Sequence, residues 1–294
     1  MLTHHRPAAI APSRVVLLGG RGFIGSALTA ALTSAGIQWI APPSTTLDLS
    51  AADGAEHLAG LLREDDAVVM LSALTPDRGR GVEPFMRNLR MAEGVARALE
   101  RVPPDQVVYL SSDAVYPFES GLVSERSCAQ PIDLYGMMHL AREVLLRSTV
   151  RAPFAALRAT LVYGAADPHN SYGPNRFRRM ARKDGMITLF GEGEERRDHV
   201  LVDDVARLAL EVLRHRSEGL LNVATGRSVS FMGLARLVAA QFETPVEIRT
   251  TTRQTAVTHR HFDVSALRRA FPEFAFTPIE EGLARVHREA LERE

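Results

Sequence analysis

Residues 14–36, RVVLLGGRGFIGSALTAALTSAG, constrain this chain more than any other stretch. Val15 to Leu18 are continuously apolar, the pattern of a strand buried on both faces. Gly19, Gly22 and Gly25 follow at G-x-x-G-x-x-G spacing, and a helical pattern then runs to Gly36. Glycine is needed where a loop takes positive φ and where backbone must closely approach a pyrophosphate, and the last glycine lets helix and strand pack together. The helix N-terminus then offers N–H groups and the positive end of its dipole to phosphates. A tight strand–helix turn without a ligand is the bland alternative. The placement after the first buried strand favours a dinucleotide site, with Arg21, Phe23 and Ile24 completing the loop.

The same alternation continues. Strand-like runs at 37–41, 45–50, 66–73, 106–112 and 154–160 interleave with helical patterns at 51–64, 82–102 and 132–148. This order predicts an α/β fold, a Rossmann-type doubly wound parallel sheet. After residue 161 the pattern changes: a Pro/Gly-punctuated loop at 163–175, a helix from about Arg176, strand–turn–strand through 187–204, a helix from Val205, and strands at 219–225 and 245–250. The expected organisation is a loose tail over 1–13 and a cofactor domain over 14–165, to which about 198–225 returns. A smaller, interleaved substrate domain fills 166–294.

Lys+Arg and Asp+Glu each number 35, so no global field draws the chain to nucleic acid or membrane. The basic run RFRRMARK (176–183) reads as a solvated helix face. Cys128 is the single cysteine, which excludes an internal disulfide and suits a reducing, cytoplasmic setting. No signal-peptide core or apolar run of membrane-span length is present. His199, His259 and His261 lack metal-ligand spacing, so no metal is expected.

The choice between NAD and NADP leans to NADP. The second strand ends in IAPPS, without the acidic residue that would hold a free adenosine ribose. Asp48 comes later and suits the adenine region or a helix cap near Ala51. Arg21 could meet a 2′-phosphate, or be an exposed loop arginine.

Taken in order, GGRGFIG (19–25), DAVVMLSA (66–73), Asn88, VVYLSSDAVYP (107–117), PIDLYGMMHLARE (131–143), LRATLVYG (157–164) and FGEGEERRDHVLVDDVAR (190–207) resemble the extended short-chain dehydrogenase/reductases. These are the NAD(P)-dependent epimerases and dehydratases of nucleotide-linked sugars. The resemblance spans about 14–290 and implies cofactor contacts at Asp48, Leu49, Leu71, Ser72, Ala73 and Asn88. It implies a homodimer through the helices at 82–102 and 132–148. It also implies a Ser–Tyr–Lys constellation, which maps onto Ser112, Tyr135 and, in place of lysine, His139. Arg197 falls where an arginine meets the nucleotide diphosphate, and Asn170 and Asn175 fall in the substrate loop. Turn formation for Asn170 and helix capping for Asn175 are equally good readings. Asp203 and Asp204 read as caps of the helix at Val205.

The residue types suit hydride transfer at a carbinol carbon, which needs a proton moved to or from its hydroxyl. A phenol near pKa 10 is a poor base at neutrality unless a cation favours phenolate. A serine hydroxyl holds the same oxygen, and positions i and i+4 share one helix face. Histidine does only part of lysine's work. His139 could anchor the ribose while neutral, be charged by an acidic partner, or mark a site whose catalysis is weak or lost. Asp113 is followed by Ala114, where dehydratases carry a second acid, so dehydration is disfavoured; Asp113 is either a local acid or a turn former. Reduction or epimerisation of a nucleotide-linked sugar is the leading expectation. The rivals are an idle NAD(P)-binding sensor and a reductase of a non-sugar carbonyl.

Overall fold

The computed structural model describes residues 1–118 and 121–293. The chain begins with a short strand, β1 (Thr3–His4), followed by β2 (Arg14–Leu18), α1 (Phe23–Ser34), β3 (Trp39–Ile40), α2 (Gly54–Leu61) and β4 (Asp66–Met70). Next come α3 (Val82–Arg101), β5 (Gln106–Ser112), β6 (Leu122–Val123), α4 (Leu134–Thr149), β7 (Phe154–Ala159) and β8 (Leu161–Tyr163). The second half contains α5 (Pro174–Asp184), β9 (Met186–Phe190), β10 (Arg196–Arg197), β11 (His199–Leu201), α6 (Val202–Arg214) and β12 (Ser217–Val223). It finishes with β13 (Val229–Ser230), α7 (Phe231–Ala239), β14 (Glu247–Thr251), β15 (His261–Phe262), α8 (Ser265–Ala270) and α9 (Ile279–Leu291).

Among the described residues the main sheet runs β1-β12-β7-β5-β4-β2-β3, parallel except for β1. The expected Rossmann-type sheet is therefore present. Its uninterrupted apolar strands divide their side chains by the two-residue period of a strand. Val15, Leu17, Ala67 and Val69 join the core beneath α1 and α6. Val16, Leu18, Val68 and Met70 join the core beneath α2, α3 and α4. Arg14 forks onto buried Asp66, Nε at 2.7 Å and Nη2 at 2.6 Å, and so ties β2 to β4 at their N-terminal ends. A third apolar cluster lies apart from the sheet and joins Phe177, Ile187, Leu189, Phe231, Leu234 and Leu283. No helix among the described residues is long and apolar enough to cross a membrane.

Four details differ from the sequence reading. The segment 1–13 is not loose throughout: β1 pairs antiparallel with β12, and His4 bonds Ser217 and the Ala270 carbonyl, both at 2.8 Å. Residues 45–50 form turns rather than a third strand. Pro42, Pro43 and Ser44 precede them, and Asp48 accepts from Ser50 N–H, an Asx-type bond that competes with strand pairing. Helix α2 starts at Gly54, so Asp48 caps nothing at Ala51. Helix α6 starts at Val202, which places Asp203 and Asp204 inside its first turn instead of at its cap. There Asp204 accepts from Thr277 N–H and hydroxyl, and Asp203 pairs with Arg285.

Candidate active site

The C-terminal ends of β2, β4 and β5 converge on one rim, and each delivers a loop. Gly19 has φ +95°, and a Cβ there would lie 2.7 Å from Ser72 N. A Cβ on Gly25 would lie 2.3 Å from the Gly19 carbonyl oxygen, so helix and loop are in backbone contact. The Gly22 N–H closes the turn on Gly19 O at 3.0 Å. Gly22 is also the N-cap of α1, and no side chain caps the helix and no acid occupies its first turn. Backbone at Phe23 and Ile24 therefore begins a helix whose positive end faces the rim. Arg21 is exposed within the turn.

Leu71 and Ser72 both donate to the Leu18 carbonyl, at 2.8 and 2.9 Å, and carry the β4 loop over the glycine turn. Asn88 is buried on α3 and holds the next residues: it accepts from Leu74 N–H at 2.8 Å and donates to Leu74 O at 2.9 Å. Ala73 lies between these two anchors. Asp48 accepts from the Ser50 hydroxyl at 2.6 Å and faces Arg87 at 3.6 Å; the Ser50 bonds hold its carboxyl below the usual range. The Leu49 side chain is buried in the core under α2 and α3.

Ser112 ends β5, and its Oγ accepts from Ala114 N–H at 3.2 Å. Tyr135 lies in the first turn of α4, which Asp133 caps by accepting from Gly136 N–H at 2.8 Å. Burial pushes the Tyr135 phenol up, Tyr109 and Asp113 add to this, and Arg142 and the Ser112 hydroxyl pull it back. His139 packs edge-on against the Tyr135 ring, with centroids 4.7 Å apart. Its Nδ1 is paired with the Tyr109 hydroxyl at 2.7 Å. Burial first, and the Arg142 charge second, push its pKa down to about 3. Both influences favour neutral imidazole, against the reading in which an acid charges His139. The direction of the Tyr109–Nδ1 hydrogen bond follows the tautomer: with Tyr109 donating to Nδ1, the imidazole proton lies on Nε2. Among the described residues, buried His139 Nε2 and Ser72 Oγ find no hydrogen-bond partner.

Asp113 is not a free acid. Arg260 donates to its Oδ2 at 3.0 Å and to its carbonyl at 2.8 Å. Burial pushes the Asp113 carboxyl up, and Arg260 opposes that shift. Arg197 donates to the Thr258 carbonyl and hydroxyl, both at 2.7 Å, and lies over the Phe118 ring at 5.2 Å. Arg260 approaches the same ring at 4.4 Å, so two guanidinium groups flank Phe118 near the Ser112 turn. Asn170 adopts φ +33° and accepts from Arg179 at 3.2 Å, as a turn former does. Asn175 is buried one residue into α5, whose N-cap is Gly173; it bonds Asp167 at 2.5 Å instead of capping the helix. A cavity of about 90 Å³ opens beside Tyr135, lined by Leu74, Phe85 and Met138. A larger one, about 320 Å³, lies elsewhere, beside His199 and Phe276. The chemistry-bearing groups favour the smaller site.

Residues 15–224 match the model of the NAD dependent epimerase/dehydratase family. The chain belongs to that family. A relative, the ADP-L-glycero-D-manno-heptose-6-epimerase of Alkalilimnicola ehrlichii, is 29% identical across 92% of this chain and 95% of its own length. The dTDP-L-rhamnose 4-epimerase of Burkholderia thailandensis is 31% identical over 48% of this chain and 42% of its own. Among solved structures, MoeE5 in complex with UDP-glucuronic acid and NAD superposes with a TM-score of 0.78 at 25% identity, covering 95% of this chain and 99% of that one. The family resemblance read from the motifs is thus borne out.

Sequence reasoning missed three residues of this family member's site. Arg142 carried a signal, since it lies seven residues after Tyr135 on one helix face. Tyr109 was hidden within an apolar strand run. Arg260 gave none, because it is 147 residues from Asp113 and only the fold joins them.

Proposed function

We propose that this protein is an NAD(P)-dependent epimerase of a nucleotide-linked sugar. The observation that carries the reading is the convergence of Ser112, Tyr135 and the unpartnered Nε2 of His139 on the rim formed by the glycine loop and Leu71–Ala73. A loop pressed into backbone contact and two unpartnered buried polar groups fit a dinucleotide. Gly19–Gly25 and the start of α1 would hold its pyrophosphate, and His139 Nε2 would donate to a ribose hydroxyl. The bound nicotinamide would supply the hydride acceptor and donor. Tyr135 takes the proton from the sugar hydroxyl and returns it, and Ser112 fixes the same oxygen. Arg197, with Phe118 beneath it, suits a nucleotide diphosphate. The two epimerases among the relatives favour epimerisation over reduction.

Further parts of this reading are the dinucleotide's phosphate, the assembly and the division of the chain. Exposed Arg21, with no acid at the end of β3, favours NADP. Exposed Met137 and Val144 on α4, beside Met86 on α3, favour a homodimer through those helices. Residues 14–165 with 198–225 form the cofactor part and the rest of 166–294 the substrate part, where Asn170 and Asn175 shape the loop beside the sugar. A lone cysteine suits the cytoplasm.

The test combines mass spectrometry of co-purified ligand with a panel of ADP-, dTDP- and UDP-linked sugars isotopically labelled at the reacting carbon. Tyr135→Phe should abolish turnover and retain cofactor affinity. Unchanged turnover in that variant removes Tyr135 as acid/base. Cofactor binding without turnover of any sugar establishes the idle-sensor reading instead, which the neutral His139 would then explain.

A further inference from the structure

Arg142 lies two helical turns beyond Tyr135 on α4, is fully buried, and faces only neutral partners in its hydrogen bonds. Its Nε and Nη2 donate to the Asn88 carbonyl at 2.9 and 2.6 Å, and Nη2 also reaches Asn88 Oδ1 at 3.0 Å. Its Nη1 donates to the Ser72 carbonyl at 2.8 Å, directly beneath the candidate cofactor loop. The carboxylate next in sequence, Glu143, is occupied elsewhere: Arg158 lies 2.6 Å away and Ser111 2.5 Å. A guanidinium keeps its proton even when buried, and among the described residues no carboxylate pairs with this one.

We propose that Arg142 is the resident cation of this site, a positioning residue whose fixed charge favours the Tyr135 phenolate in place of a charge at position 139. This rests on the reading of Tyr135 as acid/base. The work of one lysine is then divided: His139 supplies a neutral donor to the ribose, and Arg142 supplies the field. The other groups facing Tyr135 are Tyr109 and Asp113, which both oppose the phenolate, and Asp113 is itself paired with Arg260. The Arg142 charge acts in the same direction on Tyr109, Tyr135 and His139, favouring loss of a proton from each. Seven residues of helix rise about 10 Å. At that separation and an effective dielectric of about 20, a unit charge moves a titration by about one pH unit.

The experiment reads proton release on binding NAD⁺ or NADP⁺ to the full chain, by calorimetry in buffers of different ionisation enthalpy across pH 6–10. The difference between each protein and its Tyr135→Phe counterpart isolates Tyr135. Arg142→Met should raise the Tyr135 midpoint by about one unit. Arg142→Met/His139→Lys should return it, because a cation is restored one turn from the phenol. Asn88→Asp, which keeps Arg142 but gives it a carboxylate, should raise the midpoint too, and it carries the test if Arg142→Met does not fold. Midpoints unmoved in Arg142→Met and Asn88→Asp overturn the proposal, as does a double variant that stays like the single. A wild type that releases no more protons than Tyr135→Phe fails the reading of Tyr135 itself, a different outcome.

Discussion

Gly136 is the third residue past the cap of α4 and sits flush against the turn that carries Ser112. A Cβ built there lies 2.1 Å from the Ala114 carbonyl oxygen and 2.9 Å from Pro131 Cβ, whereas ordinary contact begins at 3.4 Å. Gly136→Ala must therefore part the start of α4 from the Ser112–Val115 turn by roughly 1 Å, since backbone cannot swing aside as a flexible side chain would. Tyr135 rides on the first element and Ser112 on the second. A displacement of about 1 Å between groups that share one substrate oxygen costs on the order of 10²-fold in rate. Stability changes less: overpacking costs about 1–3 kcal/mol, and the better helix propensity of alanine offsets about 1. The assay is kcat/KM on the sugar of the panel that turns over, alongside urea unfolding. Gly60→Ala is the control, because that α2 glycine has open space around it and should gain up to about 1 kcal/mol with unchanged rate. Gly136→Ala with turnover within about threefold of wild type would refute the idea that this contact sets the Ser112–Tyr135 geometry.

Acidification should weaken the fold through its buried histidines. Burial pushes His139 down to about 3 and His199 to about 4, so below about pH 6.5 the unfolded chain takes up two protons that the folded chain refuses. Asp198, pushed up to about 6 by burial, works in the opposite direction, because there the folded form binds the extra proton. Asp113, also pushed up by burial, opposes the histidines too, so the test isolates one histidine: wild type should lose about 1.4 kcal/mol per pH unit more than His139→Gln between about 6 and 4, and equal slopes contradict it. Arg21→Ala should weaken NADP binding about tenfold more than NAD binding in direct titrations; equal losses would remove Arg21 from 2′-phosphate recognition. Met137→Glu with Val144→Glu should halve the mass measured by light scattering, and an unchanged mass excludes the exposed face of α4 as the interface.

The sequence by itself determined the parallel sheet, the glycine loop, the placing of Tyr135 and His139 on one helix face, and the end of β5 at Ser112. These rest on local periodicity and on steric needs that single residues state openly: unbroken apolar runs, glycine at close approach, i and i+4 on a helix. Only the tertiary structure decided what charge each site residue carries and what it touches. Burial favours neutral His139, and the fold turned Asp113 toward Arg260 and brought Arg142 under the Ser72 carbonyl with no counter-ion among the described residues. It also drew Thr3–His4 into the sheet and left 45–50 outside it, because edge pairing depends on which distant segment arrives alongside. Electrostatics and long-range pairing sum over neighbours in space, and a linear chain records those neighbours nowhere in its local pattern.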